Sequence, residues 1–323
     1  MRGAHVDAAD IAARSRGIAP SLHEYLPPTP LLPFRGFGAD LGIDVLAKCE
    51  HLQLTGSFKA RGALAKILTL TDAERAAGVV TASSGNHGLG VANALNLLGG
   101  RAIVYLPENA AASKVAALRR LGAELRAEGA DTGAQELKAR AYAEEHGLTY
   151  VSPYNDADVI AGQGTIAVEL LRQLDGEPLD AVVVAVGGGG LISGIAAVLE
   201  QQRPEIKVYG ASPAADAAMA ESVRAGQIIQ VDAAPTLSDG TAGSVEPGAI
   251  TFDLCRELVD EWILVDEAEI RSALKTVIDT EHHLIEGAAA MAFAAARRVT
   301  GGRVAVVSCG ANISSATLAE VLA

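Results

Sequence analysis

Short apolar runs alternate with helical patterns along most of the chain. Residues 181–186 are an unbroken apolar run, which is typical of a parallel strand buried on both faces. Further strand-like runs cover residues 43–48, 78–82, 102–106, 148–151, 207–211 and 304–307. Helical patterns cover residues 7–13, 92–98, 113–121, 132–145, 191–199, 268–279 and 287–299, another helix follows residues 162–165 and ends at 174, and residues 232–247 have the pattern of a loop. The alternation predicts an α/β protein with open, mostly parallel, twisted sheets that carry helices on both faces.

Composition and charge narrow the class of protein. The chain has 323 residues, of which 50% are hydrophobic and 4% aromatic, and this suits a large core with two domains. A formal net charge of −13 without a Lys/Arg cluster disfavours nucleic acid and membrane surfaces as partners. The cysteines, Cys49, Cys255 and Cys309, are widely separated, which indicates a reducing compartment. The sequence has no signal-peptide pattern and no apolar run of membrane-spanning length, so we expect a cytoplasmic protein.

A lysine occupies an unfavourable position within residues 55–62, TGSFKARG. Ser57 is a candidate N-cap of the helix that follows, which would place Lys59 in its first turn. The free amide groups of a first turn disfavour a positive charge, and desolvation by Phe58 would lower the pKa of Lys59 further. A partly neutral lysine is a nucleophile, and such lysines form Schiff bases with carbonyl compounds such as pyridoxal phosphate (PLP). Taken alone, this stretch favours the interpretation of Lys59 as a solvated surface lysine, and the other motifs are needed to support a functional role.

The glycines at residues 187–190 follow the central apolar run and precede a helical pattern. This order predicts a phosphate-binding loop, because backbone amides without side chains and a helix N-terminus can both face an anion. A dinucleotide site fits less well, since Gly188, Gly190 and Gly194 leave one residue too many before the third glycine. The next strand also ends at residues 211–213 without an acidic residue for a ribose. A tight turn that needs glycine only for its geometry is the alternative.

Polar groups at other predicted strand ends are candidates for substrate binding. Residues 83–87, SSGNH, follow a strand and open a helix, so they can bind a carboxylate, although such residues also form ordinary turns. Cys309 follows the last predicted strand, where a small buried hydrophobe is the simpler interpretation. Glu286 lies in an apolar stretch, and a buried carboxylate needs a partner. His282 and His283 cannot share one helical face, and we interpret both as solvated or capping.

Four segments, taken in order, resemble the threonine/serine dehydratase and serine racemase family of PLP enzymes. They are residues 57–62, 83–87, 187–191 and 309–312. The resemblance covers nearly the whole chain and implies the fold type II architecture, which is similar to the β subunit of tryptophan synthase. It further implies a large PLP-binding domain, residues 1–70 and 152–323, and a small substrate-binding domain, residues 71–151. Enzymes of this family commonly form homodimers or homotetramers, and we expect the same here.

The resemblance also implies roles for individual residues. Lys59 would form the Schiff base with PLP and act as general base, and Ser84 would return a proton on the opposite face of the ring. Phe58 would pack against the pyridine ring, Asn86 would hydrogen-bond its 3-hydroxyl, and Cys309 would face its nitrogen. A thiol does not stabilise a full positive charge at that nitrogen, so the ring is a weaker electron sink, which favours elimination over transamination. The backbone that holds the phosphate would be Gly187, Gly188, Gly189, Gly190 and Leu191, and the substrate carboxylate would be received by Ser83, Ser84, Asn86 and His87.

The chain departs from its relatives in two respects. Serine racemases and some dehydratases carry carboxylates for a divalent cation where this chain has Ser212 and Ala218, so Asp216 stands alone and we expect no metal site. The chain ends at Ala323, soon after the Cys309 segment, which leaves no room for the regulatory domain of biosynthetic threonine dehydratases. Feedback inhibition by isoleucine is therefore not expected.

These observations predict a PLP-dependent ammonia-lyase that converts a β-hydroxy-α-amino acid such as threonine or serine into a 2-oxo acid and ammonium. Residues 238–248 are similar to a loop of the hydroxyectoine-utilisation dehydratases, so a larger substrate is an alternative. Such substrates include phenylserine, hydroxyaspartate and a hydroxyectoine-derived amino acid; serine racemase activity is a further alternative. A nicotinamide-dependent oxidoreductase is disfavoured by the glycine spacing. A non-catalytic protein that binds PLP or another small ligand would share these motifs.

Overall fold

Two separate β-sheets form the framework of the protein. The structure is a computed structural model that describes residues 6–39, 41–129 and 132–323, apart from the side chain of Thr132. The larger sheet is built from β1 (Leu31–Pro33), β2 (Asp44–Lys48), β7 (Ala181–Ala185), β8 (Lys207–Pro213), β9 (Glu261–Val265) and β10 (Arg303–Val307). Its order is β1-β2-β10-β7-β8-β9, and every neighbouring pair is parallel except β1 and β2. The C-terminal ends of β2, β10 and β7 therefore meet at one edge of this sheet.

The smaller sheet takes all its strands from the middle of the chain. They are β3 (Val79–Ala82), β4 (Ala102–Leu106), β5 (Glu124–Ala127) and β6 (Thr149–Tyr150). The order is β5-β4-β3-β6, and all three pairs are parallel. In an open parallel sheet, ligands bind beyond the carboxyl ends of the strands, which here points to the turn after β3.

Helices cover the faces of both sheets and account for most of the remaining chain. They are α1 (Ala8–His23), α2 (Arg35–Ala39), α3 (Lys59–Leu68), α4 (Asp72–Ala77), α5 (Asn86–Leu98), α6 (Ala112–Arg120), α7 (Thr132–Glu145), α8 (Ala157–Leu174), α9 (Gly190–Gln202), α10 (Ala218–Ala225), α11 (Ile250–Leu258), α12 (Glu267–Glu281), α13 (Gly287–Ala296) and α14 (Ser315–Leu322). In the described parts of the chain, no helix has the length and apolar character needed to cross a membrane.

The predicted α/β alternation is confirmed, and the structure adds several elements that the sequence pattern did not indicate. These are β1, β5, β9, α2, α4, α10, α11 and α14. The four residues of β5 are only half-buried or exposed, so a polar edge strand of this kind gives no apolar run. The predicted loop at 232–247 is largely irregular and contains one 3₁₀ turn, Asp239–Thr241.

The predicted start of α8 is wrong, because residues 162–165 lie inside the helix and not before it. α8 begins at Ala157, where the Asp156 side chain accepts hydrogen bonds from the first-turn amides. Its glycines are needed for close packing: a Cβ atom on Gly162 would lie 2.6 Å from the Cα atom of Gly62 in α3. A Cβ atom on Gly164 would lie 2.8 Å from the carbonyl oxygen of Gly194 in α9. The same residues that suggest a turn therefore allow α8 to pack directly against two other helices.

A buried cluster of charges fixes α3 to its surroundings. Arg61, two residues after Lys59, donates two hydrogen bonds to Glu50, with Nε–Oε2 and Nη2–Oε1 distances of 2.7 and 2.9 Å. It donates two more to Glu169 of α8, with Nη1–Oε1 and Nη2–Oε2 distances of 2.6 and 2.8 Å. Lys48, at the end of β2, donates to Glu169 Oε2 at 2.6 Å, so two cations balance two anions. Burial favours the protonated form of Glu169, but Arg61 and Lys48 outweigh this effect and lower its pKa to about 2.

Replacing Arg61 should destabilise the whole fold. The Arg61→Met change removes the cation that Glu50 and Glu169 share and leaves Glu169 paired with Lys48 and His23, so we expect a loss of about 3–5 kcal/mol in the free energy of unfolding. The measurement is urea denaturation of the purified protein. Arg101→Met, which breaks an exposed pair with Glu124, is the matched control and should cost less than about 1 kcal/mol. Equal losses in the two variants would contradict the role assigned to the buried cluster.

Candidate active site

Lys59 lies in the first turn of α3, as predicted, and is the first residue of this helix, but Ser57 is not its N-cap. The preceding residue Phe58 already has helical backbone angles, φ −55° and ψ −22°, and the buried hydroxyl of Ser57 has no hydrogen-bond partner in the described chain. Backbone contacts with the end of β10 hold this segment instead. The Phe58 N–H donates to the Cys309 carbonyl oxygen at 3.0 Å, and Ser57 forms an isolated antiparallel bridge with Gly310. The lysine segment and the cysteine segment, about 250 residues apart in sequence, are thus joined directly.

The Lys59 amine lies in a half-buried position between the two sheets. Its Nζ atom donates to the Pro153 carbonyl oxygen at 2.9 Å and lies 5.1 Å from the centre of the Phe58 ring. Burial lowers the pKa of Lys59 to about 8, although Cys309 and Glu286 favour its charged form. The predicted direction of the shift is therefore found, with burial as its main cause.

The glycine loop, residues 187–190, connects β7 to α9. In the described part of the chain, the backbone amides of Gly187, Gly188 and Gly189 donate to no protein acceptor, and the first-turn amides of α9 have no partner within the helix. Gly189 has a left-handed backbone, φ 86°. An added Cβ atom on Gly188 would collide with the ring of Tyr154. The loop thus needs glycine for its geometry and also offers free donors to an anion, so the two interpretations of these glycines are compatible.

Asn86 begins α5 at the turn after β3 and contacts groups from the other end of the chain. Its Nδ2 atom donates to both carboxylate oxygens of Glu286, at 2.9 and 3.1 Å, and its Oδ1 atom accepts from Asn312 Nδ2 at 2.6 Å. Glu286, which is 3% exposed, therefore has the partner that the sequence led us to expect. Burial raises the pKa of Glu286 to about 7, and the Asn86 hydrogen bond works in the opposite direction.

The other residues of the 83–87 turn differ in their burial and in the hydrogen-bonding groups that they make available to a ligand. The side chains of Ser83 and Ser84 are half-buried, and Ser83 Oγ accepts from the Gly85 amide at 3.2 Å. His87 is buried, and its Nε2 atom lies 3.0 Å from the Val151 carbonyl oxygen, which makes Nε2 the protonated ring nitrogen. Burial lowers the pKa of His87 to about 3, so its ring is neutral and Nδ1 is an acceptor. A carboxylate would therefore meet the backbone amide of His87 and not its ring.

Cys309 lies directly beyond β10 and is 2% exposed. Burial raises the pKa of its thiol well above the usual value, and the neighbouring Glu286 carboxylate adds to this effect. The thiol is therefore neutral, which is the state expected for a weak hydrogen-bonding partner of a heteroaromatic nitrogen.

Residues 238–248 form a loop between the glycine loop and the Asn86–Glu286 pair. A Cβ atom on Gly187 would lie 2.6 Å from the Thr241 carbonyl oxygen, and one on Gly240 would lie 3.4 Å from Glu286 Oε1. Near its far end, the Glu246 N–H donates to the Tyr154 hydroxyl at 2.9 Å. Nothing in the sequence pattern indicated Tyr154, although its ring leaves no space for a side chain at position 188, and its Cα and Cβ atoms would lie 2.9 and 3.0 Å from a Cβ atom added at position 190.

Two ion pairs connect this loop to the unit that contains the smaller sheet. Lys114 of α6 contacts Asp239 at 3.0 Å, and Arg140 of α7 contacts Glu246 at 2.7 Å. Lys114 and Asp239 both influence the protonation of Glu286, so they lie close to the site. The loop is thereby held at both ends.

No group of three or more His, Cys, Asp or Glu residues in the described ranges is arranged to hold a metal ion. Asp216, which remained alone in the sequence comparison, accepts a hydrogen bond from the Gly243 amide at 2.7 Å. The interpretation of His282 as a capping residue fits its position at the end of α12. The interpretation is wrong for His283, which is half-buried, stacks on Phe34 and contacts His51, with 2.9 Å between His283 Nδ1 and His51 Nε2.

Comparison with known proteins places the chain in a family. A family model described as "pyridoxal-phosphate dependent enzyme" matches residues 23–310. The chain belongs to this family. This PLP enzyme is 40% identical over 298 residues to an L-threonine ammonia-lyase of Geobacter sulfurreducens, a match that covers 91% of the chain and 73% of that protein. It is 37% identical over 298 residues to an L-threo-3-hydroxyaspartate ammonia-lyase of a Pseudomonas species, covering 91% of the chain and 92% of that protein. Among solved structures, maize serine racemase matches with 33% identity and a TM-score of 0.91, covering 98% of this chain and 97% of that one.

The predicted family, fold and cofactor are thus confirmed for this PLP enzyme. Its own residues fit the cofactor on three separate observations: an amine of lowered pKa at Lys59, free backbone donors in the glycine loop, and a neutral thiol at Cys309. These groups match the aldehyde, the phosphate and the ring nitrogen of PLP, respectively.

The lowered pKa of Lys59 predicts that this lysine reacts with acylating reagents at unusually low pH. In the protein without PLP, trace labelling with acetic anhydride, followed by peptide mapping, should give a midpoint at about pH 8 for Lys59. Lys66, which is also half-buried, is the control: burial works against its charge, but Asp156 and Asp158 outweigh that effect and raise its pKa. If Lys59 and Lys66 titrated together, the electrostatic description of the site would be wrong.

Proposed function

We propose that this protein is a PLP-dependent ammonia-lyase that acts on a β-hydroxy-α-amino acid and releases a 2-oxo acid and ammonium. The observation that carries the proposal is the position of Lys59, whose amine of lowered pKa lies beside Cys309 and Glu286. An amine with a pKa of about 8 is neutral in about a tenth of the molecules at pH 7, so Lys59 is available both as nucleophile and as base. The names of the ammonia-lyases to which the chain is similar support the same reaction type.

Each residue in the site is assigned a role in holding PLP. The backbone amides of Gly187, Gly188, Gly189, Gly190 and Leu191 bind the phosphate. Phe58 would pack against the pyridine ring, Asn86 would donate an N–H to the ring hydroxyl, and the Cys309 thiol would face the ring nitrogen. When bound, PLP supplies the electron sink that takes up the electron pair left by the α-proton.

The chain's own groups bind the substrate and move its protons. The hydroxyls of Ser83 and Ser84, the Asn86 amide and the backbone amide of His87 receive the substrate carboxylate. Lys59 Nζ removes the α-proton as general base. The Ser84 hydroxyl would return a proton to the α-carbon in a minor fraction of turnovers, which would yield some racemisation. Because the Cys309 thiol is neutral, it leaves no full positive charge on the ring nitrogen, and loss of the β-hydroxyl is favoured over transamination.

The organisation of the chain is part of the proposal. Residues 71–151, which contain all four strands of the smaller sheet, act as a small substrate-binding domain. Residues 1–70 and 152–323 act as the large PLP-binding domain. The protein works as a homodimer or homotetramer in the cytoplasm, where its buried free cysteines, Cys49, Cys255 and Cys309, suit a reducing environment.

The role of Lys59 is tested by reduction and by substitution. Borohydride reduction of the PLP-loaded protein should abolish its visible absorption band and fix the pyridoxyl group on the Lys59 peptide. Lys59→Ala should form no reducible adduct and should release 2-oxo acid at less than about one thousandth of the wild-type rate, because both the nucleophile and the base are lost. Lys207→Ala, at the exposed start of β8, is the control and should retain full activity. Wild-type turnover by Lys59→Ala would refute the proposal.

The ion pairs of the 238–248 loop predict a preference for substrates without a second carboxylate. Its carboxylates Asp239 and Glu246 are already paired with Lys114 and Arg140, so a second substrate carboxylate finds no free cation there. We expect threonine and serine to give the highest kcat/KM in a panel with threo-3-hydroxyaspartate, phenylserine and a hydroxylated diaminobutyrate. A preference for hydroxyaspartate would instead indicate that Lys114 or Arg140 exchanges its partner for the substrate.

A further inference from the structure

A chain of hydrogen bonds determines the orientation of the Asn86 carboxamide. Asn312 Nδ2 donates to the Thr55 carbonyl oxygen at 2.8 Å, and this contact fixes the Asn312 side chain because a carbonyl oxygen only accepts. The same nitrogen then faces Asn86 Oδ1 at 2.6 Å, which must be the oxygen of that amide. Asn86 Nδ2 is consequently directed at Glu286, whose oxygens lie 2.9 and 3.1 Å away.

Glu286 completes this chain as an acceptor on both of its oxygens. Besides Asn86, it receives a hydrogen bond from the Asn312 backbone N–H, at 3.0 Å to Oε2. An ionised carboxylate satisfies two donors, whereas a glutamine at the same place has one acceptor and would oppose one N–H with another. The fit is close, because an added Cβ atom on Gly310 would collide with Glu286 Oε1.

The burial of the Glu286 carboxylate has a free-energy cost, which indicates that this residue serves the site and not the stability of the fold. Glu286 is 3% exposed, and in the described parts of the chain no cation forms an ion pair with it. A buried carboxylate without a salt bridge is unfavourable, and burial accordingly raises the pKa of Glu286 to about 7. By contrast, the other buried acids near α3, Glu50 and Glu169, are each held by Arg61.

We infer that Glu286 is a positioning residue: it locks the Asn86 carboxamide so that an N–H, and never the carbonyl oxygen, is presented to the ring hydroxyl of PLP. The inference rests on the proposed function, because it assigns to Asn86 the contact with that hydroxyl. One of the two Asn86 amide hydrogens is used by Glu286, and the second remains for the cofactor. If the amide turned over, two oxygens would face each other and PLP would bind less well.

The test compares PLP affinity, adduct formation and thermal stability in two variants. Glu286→Gln should weaken PLP binding about 10- to 100-fold, the range expected for one lost hydrogen bond to a charged group. Affinity is measured by absorbance titration of the protein freed of PLP. At saturating PLP, borohydride should still label Lys59, because the amine is untouched. Glu74→Gln, an exposed substitution of the same kind in the first turn of α4, is the matched control and should bind PLP as the wild type does.

A double variant separates positioning from a purely structural role. In Asn86→Asp combined with Glu286→Gln, the introduced glutamine can donate to the introduced carboxylate and accept from the Asn312 amide, so every donor regains an acceptor. We expect the melting temperature to return to near the wild-type value while PLP affinity stays at least about 10-fold reduced, because no N–H reaches the ring hydroxyl. Recovery of affinity together with stability, or wild-type affinity in Glu286→Gln alone, would overturn the inference. Failure of the wild-type protein to label at Lys59 would instead remove the proposed function itself.

Discussion

The rest of the site depends on the buried hydrogen bonds between the Arg61 guanidinium and the carboxylates of Glu50 and Glu169. Arg61 lies two residues after Lys59 on the same helix, and its four hydrogen bonds to carboxylates join α3 to the segment after β2 and to α8. Because the guanidinium is planar and its partners are buried, the position of the helix start is fixed in translation and in rotation. The Lys59 amine is therefore attached to the end of a rigid helix, α3, which is held in place by buried contacts and not by surface contacts.

The site itself is assembled by parallel topology. β2, β10 and β7 end at one edge of the larger sheet, and the segments that follow β10 and β7 supply the thiol and the free glycine amides. The turn after β3 of the smaller sheet supplies Asn86 from the opposite side. Two direct contacts join the unit of the smaller sheet to that of the larger sheet: Asn86 contacts Glu286, and Lys114 contacts Asp239. The site therefore contains residues from both units.

Some features of the fold and of the site could be predicted from the sequence and others could not, and the difference has physical causes. The central strand and its glycine loop were predictable, because a fully buried parallel strand needs an unbroken apolar run and the loop needs residues without side chains. The start of α8 could not be predicted, since glycines such as Gly162 and Gly164 occur both in turns and in close contacts between helices. The N-cap assigned to Ser57 failed because backbone bonds from Cys309 and Gly310, remote in sequence, determine that segment. Asn86 and Glu286 are 200 positions apart, so only the fold brings them together.

The glycine contacts between α3 and α8 tolerate amino-acid substitution less well than the 238–248 loop does. At positions 62 and 162 even one methyl group has no space, and any separation of α3 from α8 would move Lys59 as part of a rigid body. The 238–248 loop approaches the site mainly through backbone atoms and is held by ion pairs near its two ends. The exposed side chains of this loop that form no ion pair can therefore vary without altering the position of the amine. Under the proposed function, selectivity and proton transfer are assigned to parts of the chain that can be changed independently, so the loop is the place to redesign the range of substrates.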